Sequence, residues 1–112
     1  METTEISKQS TPNTAKILNA LLSIGAGEII ENTLNKVLHY QLAKYRTHIN
    51  QMNREMECFE KNYKMSSEVF YREFEAGNLG DEGDFFEWSS LYENVLLYES
   101  RVKKIESIET QC

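Results

Sequence analysis

The feature that most constrains this chain is one long helical seam. Leu38, Leu42, Tyr45, Ile49, Met52, Met56, Phe59 and Tyr63 are spaced 4, 3, 4, 3, 4, 3 and 4 residues apart. That is heptad spacing, which places all eight side chains on one narrow stripe of an α-helix. No Gly or Pro interrupts residues 28–64, and Ile30, Leu34 and Val37 carry the stripe upstream with a slight rotation. At ~1.5 Å per residue, a helix over 28–64 is about 55 Å long. A compact globule of 112 residues cannot cover that length, so the helix needs a partner helix, in the same chain or in another.

The flanks of the seam bear on which partner. His39, Gln41, Arg46, His48, Asn53, Glu55, Glu60 and Asn62 form few opposite-charge pairs, so a parallel zipper is not specified. Tyr, Met and Phe in the seam itself suit irregular bundle packing. A second helix is predicted over 84–110. There Trp88, Leu91, Val95, Tyr98, Val102 and Ile105 alternate by 3 and 4, and Phe85, Tyr92 and Leu96 widen the face. Ser66 is placed as an N-cap for a short helix over 67–76, with Glu68 in its first turn and Met65 and Phe70 as a staple. Asp84 and Glu87 have the spacing of a capping box for the last helix. A first short helix is predicted over 14–24 from Ile17, Leu18, Leu21 and Leu22, closed by Gly25-Ala26-Gly27.

The expected fold is therefore all-α. Residues 1–13 are polar, hold the only proline and read as a flexible tail, while 14–112 form one helical domain. In it the long and C-terminal helices make an antiparallel hairpin joined by a short bridging helix. The same seams would also serve a dimeric helical bundle.

Charge is unevenly placed. The net charge is −6. Residues 1–56 contribute +1 (six Lys/Arg, five Asp/Glu) and residues 57–112 contribute −7 (six against thirteen). An acidic chain argues against a dedicated nucleic-acid binder. Two cysteines in 112 residues exclude a disulfide-stapled scaffold, and Cys58 and Cys112 read as free thiols. Residues 17–26 are apolar, but Asn19 interrupts them and Glu28 follows. Neither a signal peptide nor a membrane span is expected, and the cytoplasm is the default location.

Catalytic and metal chemistry find no support. Asp81, Glu82, Asp84 and Glu87 crowd together, but their spacing is not that of a calcium loop. His39 and His48 are nine residues apart, too far along a helix to share a metal. Cys58 lies between Glu57 and Glu60, with no basic neighbour that would activate it as a nucleophile. The reading is a non-enzymatic protein with no cofactor and no metal.

What stands out is aromatic density beside acid. Phe70, Tyr71, Phe74, Phe85, Phe86, Trp88, Tyr92 and Tyr98 fall within 29 residues. A local core where three helices meet accounts for most of them. Phe85 and Phe86, however, point about 100° apart on a helix, so one of them can lie at a surface, where aromatic anchors mark interfaces.

The run Tyr63–Glu93 resembles a segment of small prokaryotic helical antitoxins, encoded beside a small toxin. The segment has the form Tyr-x-Met-Ser-x-Glu-x-Phe, then Phe-Glu-x-Gly-x-Leu-Gly-Asp, then an acidic-aromatic run ending in Glu-Trp. The matching positions are Tyr63, Met65, Ser66, Glu68, Phe70, Phe74, Glu75, Gly77, Leu79, Gly80, Asp81, Asp84, Phe85, Phe86, Glu87 and Trp88. The resemblance covers roughly residues 59–98. It implies a toxin–antitoxin system in which this chain covers the basic functional surface of a cognate toxin. Phe70, Phe74, Phe85, Phe86 and Trp88 would supply buried area, and Asp81, Glu82, Asp84 and Glu87 would supply complementary charge. The alternative class is a self-associating coiled-coil scaffold that uses the seam, with a second copy of the chain as its partner. Direct operator binding has little basis, because Lys8, Lys16, Lys36 and Lys44 do not cluster.

Overall fold

The computed structural model describes residues 13–110, with side chains through Ile108. The expected tail lies outside the described residues apart from Asn13, and so does Cys112. Among the described residues there are four helices and no strand: α1 (Thr14–Ser23), α2 (Gly27–Tyr63), α3 (Ser67–Glu75) and α4 (Gly83–Thr110). The fold is all-α, and α2 packs against α4 as a helical hairpin with α3 between them in sequence.

The chain forms two compact units that divide between Leu38 and His39, inside α2. In the second unit the main core cluster is Met56, Phe70, Phe85, Trp88 and Val95, with Leu42 and Ile105 also buried. Ile49, Met52, Phe59, Tyr63, Met65, Phe74, Leu79 and Leu91 pack around it. Every seam position from Leu42 to Tyr63 is at least half-buried, and nearly every residue between them is exposed. Heptad spacing thus translates directly into the face that α2 turns inward. Ring contacts fix the antiparallel register: Tyr63 meets Phe85 at 5.1 Å, Phe59 meets Trp88 at 5.6 Å, and Tyr45 meets Tyr98 at 5.1 Å. Farther along, Arg46 pairs with Glu106, and the Arg101 guanidinium lies 5.7 Å from the ring centroids of both Tyr45 and Tyr98.

Local chemistry sets the breaks. α1 ends in a Schellman motif: Gly25 at φ +90° lets Ala26 N–H reach Leu21 O at 3.0 Å and Gly25 N–H reach Leu22 O at 3.2 Å. α3 ends the same way at Gly77, φ +80°, with Asn78 N–H to Glu73 O and Gly77 N–H to Phe74 O. Between α2 and α3 the left-handed position falls instead on Lys64, φ 57°, at a cost glycine would avoid. Ser66 then caps α3, its hydroxyl accepting from Val69 N–H at 3.2 Å. The capping box at Asp84 does not form as the spacing suggested. α4 begins one residue earlier, at Gly83, and the Asp84 carboxylate accepts from Tyr63 Oη instead.

In the first unit, α1 and the opening turns of α2 pack through Leu18, Leu21, Ile30 and neighbours, which line an apolar groove of about 270 Å³. No residue described between 13 and 38 is buried.

Candidate functional site

The candidate site is the acidic connector between α3 and α4 together with the first turn of α4. Its foundation is the aromatic core beneath it. Phe70 and Trp88 are fully buried and lie face to face, 3.9 Å between ring centroids and 3° from parallel. Phe59 and Tyr63 stack on Trp88 from the α2 side, at 5.6 and 5.9 Å. Phe85 closes the cluster against Phe70 at 5.5 Å.

A polar chain runs through this core and joins three helices. Trp88 Nε1 donates to Ser67 Oγ at 2.8 Å, and Ser67 Oγ donates to Glu60 Oε2 at 2.7 Å. The same carboxylate oxygen accepts from Ser67 N–H at 2.9 Å. The buried indole N–H and hydroxyl are thereby satisfied, which burial demands. Glu60 stands beside the seam and Ser67 is the first residue of α3. Neither carries a sequence signal for this role, because their partner Trp88 is 21 positions from Ser67.

Three of the aromatic residues expected to touch a partner are therefore interior. Phe70, Phe85 and Trp88 are core, because three helices converge on their rings. They position the surface and do not form it. Of the adjacent pair, Phe85 points inward and Phe86 is 54% exposed, as the 100° helical offset requires. Phe74 is half-buried and meets Phe86 edge to face at 5.5 Å and 87°. The surface aromatic feature is thus the Phe74–Phe86 pair.

The same connector and first turn of α4 carry the carboxylates. Asp81, Glu82, Asp84 and Glu87 are all exposed. Tyr63 Oη donates to Asp84 Oδ2 at 2.8 Å and is 3.3 Å from Glu82 Oε1, which ties the connector to the end of α2. The Tyr63 phenol is pushed up to about 12, first by the Asp84 hydrogen bond, then by burial and by the charges of Asp84 and Glu82. Tyr71 Oη donates to Glu93 Oε2 at 2.6 Å, and its phenol is likewise raised to about 12, chiefly by that bond. Leu79 packs against the core and pins the middle of the connector. Residues 73–100 contain eight Asp/Glu and no Lys or Arg, so this segment is acidic throughout, while Lys61, Lys64 and Arg72 are exposed on the neighbouring helix ends.

No family model, curated protein or solved structure matches the chain. A shallow groove of about 530 Å³ lies between α2 and α4, and its rim carries both signs, Arg46 and Lys103 against Glu99 and Glu106. Among the described residues no group of three or more His, Cys, Asp or Glu is placed to hold a metal ion. No described helix is long and apolar enough to cross a membrane. Cys58 is a free, exposed thiol. The seam residues Ile49, Met52, Met56, Phe59 and Tyr63 face the core of their own chain, so a homodimer zipped along them would have to displace α4.

Proposed function

We propose that this chain is a non-enzymatic binding protein of the antitoxin type, which neutralises a small basic toxin by covering its functional surface. The single observation that carries the reading is the exposed Phe86, set edge to face on Phe74 above the aromatic core, in a connector and first helical turn whose four carboxylates are all exposed. An aromatic anchor with an acidic rim combines buried area at the centre with charge complementarity at the edge. Its rigidity limits the ordering cost of association. The resemblance of residues 59–98 to antitoxin segments supports the same reading and names the partner class, the product of the adjacent gene. The setting this reading takes is the cytoplasm.

The test has two arms. The adjacent reading frame is expressed alone and then with this chain; growth arrest followed by rescue and copurification is the expected result. Phe86→Ala and the combined charge reversal of Asp81, Glu82 and Glu87 should each abolish rescue. The reversal should also slow association at least ~10-fold at low salt. A non-toxic neighbour, or rescue undiminished by both variants, overturns the reading.

A further inference from the structure

We propose that residues 14–37 are a self-association surface, on which the apolar faces of α1 and the first turns of α2 dock against the same faces of a second copy of this chain. The N-terminal hairpin has the apolar residues of a core and lacks the core itself. Ile17, Leu22, Ile24, Ile29, Leu34 and Val37 are between 48% and 76% exposed. Two of them, Ile29 and Leu34, line the apolar groove together with Leu18, Leu21, Ile30 and Thr33.

α1 in particular lacks its own support. It has ten residues, no side-chain cap, no acidic residue in its first turn, no basic residue in its last and no buried residue. A helix below ~12 residues is marginal in water unless its apolar face is packed. The packing has to come from elsewhere. Residues 1–12 contain only Met1 and Ile6 as large apolar side chains, too few to cover six.

Charge and area select the occupant. Residues 13–38 hold two lysines (Lys16, Lys36) and two glutamates (Glu28, Glu31). The patch is neutral, so it offers no complement to a strongly charged partner, and two copies meet without net repulsion. An interfacial membrane helix carries a Lys/Arg-rich polar face, and α1 has one lysine, Lys16. The six exposed side chains present roughly 600 Å² per chain, so an isologous pair buries about 1,200 Å², the lower bound of a stable specific interface. Two helices from each copy then form a four-helix contact, an arrangement that covers such faces on both sides. This surface shares no residue with the acidic connector, so self-association and toxin binding are independent claims.

Sedimentation equilibrium on the full chain tests it. The expected result is a reversible dimer at micromolar concentration, twice the 13.1 kDa of the chain. The double variant Leu22→Glu/Ile29→Glu should raise the dimer Kd at least ~100-fold. All the tryptophan and phenylalanine lies beyond residue 38, so an unchanged near-UV signal certifies that the second unit is intact. Leu96→Glu, at an exposed position of α4, should leave the dimer unaltered. Four results overturn the proposal: a monomer at every concentration, a dimer that survives the double variant, a dimer lost in Leu96→Glu, or a monomer that instead floats with anionic phosphatidylglycerol vesicles.

Discussion

The two ends of α2 carry the same kind of apolar stripe and meet different fates. From Ile49 to Tyr63 the stripe is closed by Phe70, Phe85, Trp88 and Val95 of the same chain. In residues 13–38 the stripe faces the ten-residue α1 across a shared groove, and no described residue there is buried. What separates them is side-chain size and a third element. The C-terminal end brings aromatic rings from three helices to one point. The N-terminal end has two helices and only Ile, Leu and Val to fill the gap. An amphipathic pattern therefore specifies that a face will be covered and leaves open what covers it.

The contrast can be broken most severely at Trp88. Trp88→Ala removes the ring stacked between Phe70 and Phe59 and should cost about 3–5 kcal/mol of stability in urea unfolding. Ile29→Ala, in the first unit, should cost under ~0.5 kcal/mol when measured well below the dimerisation range. Comparable losses at the two sites would erase the distinction drawn between the units.

Ser67→Ala comes next. It leaves Trp88 Nε1 without its acceptor and Glu60 without one of its two Ser67 donors, the backbone N–H being kept, and should destabilise by about 1–3 kcal/mol. Ser67→Thr keeps the hydroxyl and should recover part of that loss.

Alkaline titration gives a smaller effect. The Tyr63 and Tyr71 phenols are held at about 12 in the fold, against 10.0 for an ordinary tyrosine. Between those values the folded state holds protons that the unfolded chain has released. Their contribution to stability is therefore complete below pH 10 and falls as pH rises toward 12. Tyr63→Phe should flatten part of that decline, as followed by the thermal midpoint against pH.

The smallest effect is a gain. Lys64→Gly relieves a left-handed residue at φ 57° and should stabilise by about 0.5 kcal/mol, since glycine's larger backbone entropy offsets part of the relief.

Much of the fold was legible before any coordinates. The 3-4 spacing of the seam marked the inward face of α2 in advance. Gly25 and Gly77 marked two helix ends because each requires a positive φ. Lys64 gave no such signal, since a lysine in that conformation is set by its surroundings. The candidate site was legible as composition and less so as geometry. Adjacent Phe85 and Phe86 had to diverge, yet only packing decides which one faces Phe70. The Glu60–Ser67–Trp88 chain was invisible, because a hydrogen bond across 21 residues is a product of tertiary structure. Asp84 fitted a cap by spacing, and the nearby Tyr63 hydroxyl took its carboxylate instead.

Hydrogen exchange of the full chain across a dilution series tests most directly the claim that one stripe is closed within the chain and the other awaits a second copy. Amides of residues 50–63 and 86–105 should exchange slowly at every concentration, since their opening tracks unfolding of the aromatic core. Amides of residues 17–37 should exchange fast in dilute solution and slow as concentration rises through the micromolar range. Equal, concentration-independent protection in both regions would contradict the account.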